Sequence, residues 1–368
     1  MQYLGNNQIT AKYVGNTEVQ KQYLGDTLVW ENTPPQHDYS QDYLTFRITS
    51  SGDVKWSTDY SSIKKTIQYS KDGGETWTSI ISNPESTIQV VAGDVLLFKG
   101  TNNGYSNGSL YNHFKTDVSF SIEGNIMSLI SGDNFTGNTT LSEARTFYNF
   151  FQACTGLTSA GNLVLPATTL STRCYQQMFY GCSSLTTAPE LPATTLADGC
   201  YHSMFQYCSS LIAAPSLPAT STRSICYSNM FAYCTRLTSV PSILPATTLG
   251  DACYQSMFKG CSSLTTAPVL PATGLTSRCY EYMFQSTSLT TAPELPAATL
   301  VDYCYQYMFS YCNQLNYVKC LATDISASNC TTQWLNSVAA SGTFVKATGA
   351  SWDTGISGIP SRWTVLEE

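Results

Sequence analysis

The sequence predicts an α+β repeat protein: N-terminal β segments and a β-sandwich, followed by a solenoid of about eight strand-turn-short-helix repeats. Three observations carry that expectation. Met-Phe pairs begin at Met178, Met204, Met230, Met257, Met283 and Met308, spaced by 26, 26, 27, 26 and 25 residues. Upstream of them, apolar and polar residues alternate over short runs bounded by turn residues, the pattern of half-buried strands. At the start of the chain, Tyr3, Tyr13 and Tyr23 are each followed two residues later by Gly5, Gly15 and Gly25, a repeat of period ten.

Composition fits a folded, neutral surface. The 368 residues exceed what one compact core usually organises, so two or three units are expected. Apolar residues make up 42% and charged residues 12%, and the 24 tyrosines suit β-rich surfaces. A net charge of -7 provides no positive field for phosphate backbones, so nucleic acid is not an expected partner. No apolar run approaches the roughly 20 residues of a membrane helix, so no membrane insertion is expected. With Met1 as the true start, MQYLGNNQIT lacks a basic n-region and an apolar h-region, and ordinary secretion is not indicated.

In residues 1–31, Ile9, Val19 and Val29 keep register with the tyrosines and glycines, which reads as short strands joined at Gly-Asn or Gly-Asp turns. A segment under ~40 residues rarely sustains its own core. It therefore reads as a docking or oligomerisation element, or else as three strands extending the next domain. Residues 32–38, with Pro34 and Pro35, read as a linker. From 39 to 140, YLTFRI, TIQYS, TIQVVA, DVLLFKG and DVSFSIEG alternate as strands of a β-sandwich. Between them, Ser70-Lys71-Asp72-Gly73-Gly74-Glu75-Thr76-Trp77 fits SxDxGxxW, which resembles the Asp-box hairpin of sialidases and other β-proteins and implies a structural turn with Trp77 packed beneath it.

Residues 141–346 carry the repeats, with Phe150-Phe151 and Trp334-Leu335 as less faithful terminal copies, and 347–368 as a C-terminal cap. On a helix, Cys174, Met178 and Cys182 would fall at about 0°, 40° and 80°, with Tyr175 and Phe179 at about 100° and 140°. Gln176, Gln177, Tyr180 and Gly181 would face water. The same division holds in CYHSMFQYC, CYSNMFAYC, CYQSMFKGC and CYQYMFSYC. Pro189 and Pro192 exclude a long helix in the intervening segment, where Leu185, Ala188, Leu191 and Leu196 can point inward. Strand, turn and short helix in ~26 residues is the leucine-rich-repeat format.

The recurrent LxxAPxLPATTLxxxCYxxMFxxCxSL resembles the BspA-like (Treponema-type) leucine-rich repeats, over about residues 147–346. It is longer than the usual repeat of that family and carries Met before Phe where the family tends to have Ala. The resemblance implies an adhesin or surface binder. The segments YLGNNQI, YVGNTEV and YLGDTLVW resemble N-terminal anchoring segments of tail or head-fibre proteins of Bacteroidota phages, and SIEGNIMSLISGDNF looks like a companion module.

The fourteen cysteines all lie between Cys154 and Cys330, thirteen of them in two ladders. A bridge within one helical nonapeptide would span ~12 Å by rise, beyond the ~7 Å limit for a disulfide, and helices packed ~8–10 Å apart would separate equivalent rungs too far. Buried free thiols are the expectation. Cys174, Cys200, Cys226, Cys253, Cys279 and Cys304, with the six methionines of the Met-Phe pairs, are the expected core ladder. No metal site, cofactor or catalytic residue is expected: CxxxxxxxC lacks zinc-ligand spacing, and none of His37, His113 and His202 recurs with the ladder.

The expected function is non-enzymatic: a bacteriophage virion protein of tail- or head-fibre type, holding other virion proteins or a second copy of itself through residues 1–31 and presenting its repeats to a host surface glycan or protein. A bacterial cell-surface adhesin is the alternative. A glycan-active enzyme would need two placed carboxylates, which the scattered acidic residues of the repeats do not provide. The expected binding residues are Tyr180, Tyr207, Tyr233, Tyr282, Tyr307 and Tyr311, with a threonine-rich strand side (Thr186, Thr187, Thr238, Thr265, Thr266, Thr290, Thr291) as the rival face.

Overall fold

The computed structural model describes residues 37–368, Asp59 and the Ser61 side chain excepted, and before them the backbone of the strands alone. It divides into two compact units, Met1–Asp38 and Tyr39–Glu368. The first contains three antiparallel pairs: β1 (Tyr3–Leu4) with β2 (Asn7–Gln8), β3 (Lys12–Val14) with β4 (Thr17–Val19), and β5 (Lys21–Leu24) with β6 (Thr27–Glu31). Tyr3, Tyr13 and Tyr23 take the same register, opposite Gln8, Glu18 and Leu28. The turn positions at Gly5, Gly15 and Gly25, together with Ile9 and residues 32–36, lie outside the described residues.

The second unit opens with a two-layer β structure. Its strands are β7 (Leu44–Ile48), β8 (Gly52–Ser57), β9 (Thr66–Ser70), β10 (Thr78–Ile81), β11 (Thr87–Val90), β12 (Val95–Lys99), the short pair β13 (Ser106–Asn107) and β14 (Leu110–Tyr111), β15 (His113–Lys115), β16 (Phe120–Asn125) and β17 (Leu157–Val164). One sheet runs β10-β9-β12-β7-β16-β17 and the other β11-β8-β15. Phe114 of β15 meets Phe46 of β7 at 4.8 Å, Phe98 of β12 at 4.9 Å and Trp56 of β8 at 5.0 Å, so the aromatic core sits between the layers. Strands β8, β10 and β15 escaped the sequence reading. In β8 the alternation lasts only from Asp53 to Trp56, and β10 is an edge strand with an exposed pattern and no apolar face to announce it.

The SxDxGxxW segment forms the turn between β9 and β10. The Asp72 carboxylate accepts from the Thr76 backbone N–H at 2.9 Å, while Ser70 Oγ accepts from Gly74 N–H at 2.9 Å. Gly73 and Gly74 supply φ of 74° and 96°. Trp77 packs edge-on against Tyr43 at 5.1 Å and lies under the Lys99 ammonium at 4.2 Å.

The change of sequence pattern near residues 140–141 is not a break in the core. Strand β17, from the first repeat, joins the sandwich sheet by parallel pairing with β16. Beyond it, parallel bridges link repeat to repeat: Ser159 with Thr187, Thr187 with Ala213, and Ala213 with Ser239. At the far end, β18 (Tyr317–Cys320), β19 (Thr343–Lys346) and β20 (Thr364–Glu367) form a three-stranded parallel sheet.

The short helix expected in each repeat is absent, and this corrects the fold expectation. The described residues contain one α-helix, α1 (Ser128–Ser131), outside the repeats. From Ser171 to Cys182 the chain is instead a ribbon of overlapping turns. Alternate N–H groups close four-residue turns: Cys174 to Ser171, Gln176 to Arg173, Met178 to Tyr175, Tyr180 to Gln177 and Cys182 to Phe179. The N–H groups between them donate to the next repeat: Arg173 to Asp198, Tyr175 to Cys200, Gln177 to His202, Phe179 to Met204 and Gly181 to Gln206. Half of the ribbon's hydrogen bonding is thus spent between repeats. A helix would spend all of it internally.

The periodicity is four, not 3.6, because every fourth residue is left-handed. Arg173, Gln177 and Gly181 have φ of 56°, 56° and 73°, and the pattern recurs at Gly199, Ser203 and Tyr207, at Ile225, Asn229 and Tyr233, and so on to Asn329, Gln333 and Ser337. Each reversal turns the chain back, so Cys174, Met178 and Cys182 stay on one line instead of drifting round a cylinder.

Candidate binding surface of the repeats

Each ribbon alternates two buried positions with two outward ones. Cys174-Tyr175 and Met178-Phe179 are buried, whereas Gln176-Gln177 and Tyr180-Gly181 are half-buried. The ladder of Cys174, Cys200, Cys226, Cys253, Cys279 and Cys304, with Met178, Met204, Met230, Met257, Met283 and Met308, lies at 0% exposure. Beside it, Phe151, Phe179 and Phe205 stack at 5.4 Å, and Tyr175, Tyr201 and Tyr227 stack at 5.8–5.9 Å. Repeats therefore sit ring on ring, closer than the ~8–10 Å of packed helices. Equivalent rungs are consequently not held apart by the spacing expected of packed helices, since ~4.4–6.8 Å between Cα atoms is what a disulfide needs.

The fourteen cysteines are free and buried. Burial pushes the Cys174, Cys253 and Cys261 thiols up to about 12. In the second ladder the thiols are also bonded. Cys182, Cys208, Cys234 and Cys261 each donate to the carbonyl of the Phe one repeat back, Phe151, Phe179, Phe205 and Phe231, at 3.1 Å. Thr287 replaces the cysteine in one repeat, and its hydroxyl donates to the Phe284 carbonyl at 2.8 Å.

The six sequence-chosen tyrosines do not make one stripe. Tyr180, Tyr207 and Tyr233 come together: Tyr180 meets Tyr207 edge-on at 5.3 Å, and Tyr207 stacks on Tyr233 at 4.9 Å and 5°. Tyr282 stacks on Tyr307 at 4.8 Å and 3°, four residues earlier in the ribbon frame. Tyr311 stands outside both pairs, 53% exposed. Gly260 interrupts the first group, where a Cβ would come within 2.6 Å of the Tyr233 ring. Stacked rings cover each other's faces, so these columns offer edges and hydroxyls outward.

Sequence reasoning missed the charges that flank the second pair. The Lys259 ammonium lies over Tyr282 at 4.8 Å, continuing the Tyr282–Tyr307 stack as a cation over a ring. The Arg278 guanidinium lies over Tyr303 at 4.0 Å and pairs with the buried Glu281 at 3.0 Å, whose carboxylate also accepts from Gln255 at 2.6 Å. Gln255 and Glu281 share one column with Gln176 and His202, two residues after the first cysteine of each repeat, a polar position at the same place every time. His202 is half-buried; burial and the nearby Arg173 lower its pKa to about 4.

The rival face is distinct. Thr187, Thr238, Thr265, Thr266, Thr290 and Thr291 are exposed along the bridged strand side, Thr186 is half-buried, and Ile212, Ile243 and Val269 are exposed among them. Among the described residues, no group of three or more His, Cys, Asp or Glu side chains is placed to hold a metal ion, and no helix is long and apolar enough to cross a membrane.

A family model described as BspA type leucine rich repeat region matches residues 146–257 and 253–344 in six copies, more than half of the chain. No curated protein and no solved structure matches it.

Proposed function

The chain belongs to the BspA type leucine rich repeat family, and from that premise we propose that it is a non-enzymatic binding protein acting at a surface, its repeats forming a solenoid that presents rigid tyrosine columns to a host glycan or protein. The observation that carries this reading is the pairing of outward tyrosines, Tyr207 on Tyr233 and Tyr282 on Tyr307, at 4.8–4.9 Å. Stacking freezes the rings before any ligand arrives, so little rotamer entropy remains to be lost on binding. Replacing Tyr207, Tyr233 and Tyr307 together by Ser should leave the melting curve intact and weaken adsorption to target cells more than tenfold. Unchanged adsorption by a folded variant would move the binding role to the threonine side.

For its place of action we propose a phage particle, as a tail- or head-fibre type protein held to other virion proteins, or to further copies of itself, through residues 1–31. What supports this is the separate unit Met1–Asp38, built of three short strand pairs that set Tyr3, Tyr13 and Tyr23 each opposite the residue five further on, a size that calls for a partner surface. The family favours a second reading, an adhesin on a bacterial cell. Labelled antibody on purified virions and on the producing cells separates the two. Deletion of residues 1–31 should abolish incorporation into particles while leaving the repeats folded.

A further inference from the structure

The two-layer β domain carries a cleft remote in sequence from the tyrosine columns. It has a volume of about 690 Å³ and is lined by β9, β10, the end of β12 and the segments 100–102 and 131–134. That is within the ~300–1,000 Å³ of small-ligand sites. Its floor is made by two glycines, with Gly132 N–H donating to the Gly100 carbonyl at 2.8 Å. A Cβ on Gly100 would come within 2.9 Å of the Tyr105 hydroxyl and 3.0 Å of the Leu129 carbonyl, and Gly132 has a φ of 56°. Both glycines are buried and their N–H groups are bonded within the protein, Gly100 to the Ser128 carbonyl at 2.9 Å, so they fix the shape of this end of the cleft and leave recognition to the side chains of its walls.

The walls are polar and net positive. Lys99 lies in the lining, but its ammonium is held by Asp133 at 2.8 Å, and Asp133 also accepts from the Tyr43 hydroxyl at 2.7 Å, so that charge pair is internally satisfied. Lys64 and Lys65 remain, and neither takes part in an ion pair among the described residues. Their segment is held by hydrogen bonds to the domain core. The Lys65 carbonyl accepts from the buried Trp56 indole at 2.9 Å, its N–H donates to Ser82 at 2.9 Å, and Asn112 donates to the Ile63 carbonyl at 3.0 Å. The lining also holds the amides of Gln68, Asn102 and Asn134, the Asn102 amide fixed by its bond to the Thr66 carbonyl at 2.8 Å. Among the described residues, no aromatic side chain is in the lining.

We propose that this cleft binds an acidic saccharide, a sugar carrying a carboxylate. Lys64 and Lys65 meet the carboxylate, and the amides and hydroxyls of the walls meet the ring hydroxyls. The charge selects for the anion in a chain whose net charge is -7. The amides of Gln68, Asn102 and Asn134 suit a polyhydroxylated ligand recognised by hydrogen bonds more than an apolar one.

The test titrates the full-length chain with tri-galacturonate, a glucuronate-containing disaccharide and sialyllactose, with lactose and inorganic phosphate as controls. At least one acidic sugar should bind, at least tenfold more tightly than lactose or phosphate, and more weakly as salt rises. Lys64→Gln with Lys65→Gln should reduce that binding at least tenfold with an unchanged melting temperature. Ser79→Tyr on the exposed edge strand β10, which fills the cleft without touching the lysines, should do the same. Silence of all three acidic sugars, equal binding of lactose or phosphate, or full affinity in both folded variants would each overturn the proposal.

Discussion

At the scale of single residues, the left-handed positions decide the ribbon. A non-glycine residue there costs about 1–2 kcal/mol, most for a β-branched one. Ile225 sits at φ 49°, in a column whose counterparts include Gly199 and Asn329. Ile225→Asn should therefore raise stability by about 1 kcal/mol, read as a higher denaturant midpoint at unchanged slope; a lower midpoint would mean that Ile225 packing outweighs the strain. Gly260→Ala should act in the opposite sense, since it adds a Cβ to a φ of 73° and crowds Tyr233. The titrating groups add two pH windows. The buried thiols have raised values, so the unfolded chain releases protons first as pH climbs. Their contribution is complete below the unfolded value of ~8.5 and is lost as pH rises toward 12. His202 is lowered, so the unfolded chain takes up protons first, and stability falls as pH drops from ~6.5 to about 4. Denaturant midpoints measured across both windows check the signs, and His202→Gln should flatten the acid limb alone.

At the scale of the element, a stack of turn ribbons behaves differently from a stack of helices. Far-ultraviolet circular dichroism should show almost no helical signal, against the eight short helices that the 100° reading implied; a strong minimum at 222 nm would restore them. Because each ribbon hydrogen-bonds to its neighbour at every second residue, one whole repeat is the natural unit of insertion or loss. Deleting 200–225 joins Gly199 to Cys226, the same neighbour relation that Gly199 and Cys200 have now. The product should fold and unfold cooperatively at a lower temperature. Deleting 200–212 should abolish folding, because it brings the ribbon against the strand side. Soluble, cooperative behaviour of the shorter deletion would contradict the repeat register.

At the scale of the whole second unit, the two ends of the stack are closed by different means. At the start, Phe114 of the β domain imitates a repeat: it stacks on Phe151 at 5.8 Å, and its carbonyl accepts from the Cys154 thiol at 3.2 Å, as the Phe151, Phe179, Phe205 and Phe231 carbonyls accept from the thiols one repeat on. At the end, Trp334 takes the place of the stacked tyrosines, donates through its indole to the Gly358 carbonyl at 2.9 Å, and is covered by Trp352 at 5.4 Å. Trp363 donates in the same way to Ala339 at 2.9 Å. Truncation after residue 341 should uncover Trp334 and remove β19 and β20, giving a chain that self-associates in sedimentation; a monodisperse monomer would show that the last repeat caps itself. The thiol ladders make a related demand. With fourteen buried thiols, native protein should stay unmodified by a thiol-reactive dye until it unfolds, and reductant should leave its melting temperature unchanged.

The sequence by itself determined the repeat, its length, and which side chains are interior. Cys174, Met178 and Phe179 recur because an apolar position that is lost in one repeat leaves a hole in a shared core, so burial is written into every copy. It also carried the Asp-box turn, whose closing bonds, Thr76 N–H to Asp72 and Gly74 N–H to Ser70, are local. It did not determine the ribbon. Cys174, Met178 and Cys182 share one side at a period of 3.6 or of four over nine residues, and the glycines and asparagines that mark the left-handed column occupy it only in some repeats. Only the tertiary structure chose between the two, because the bonds that favour the ribbon run to a neighbouring repeat some 26 residues away and are invisible in one copy. For the same reason it alone separated the tyrosines into two columns, added Lys259 and Arg278 to the second, and gathered Lys64, Lys65, Gly100 and Gly132 from distant segments around one cleft.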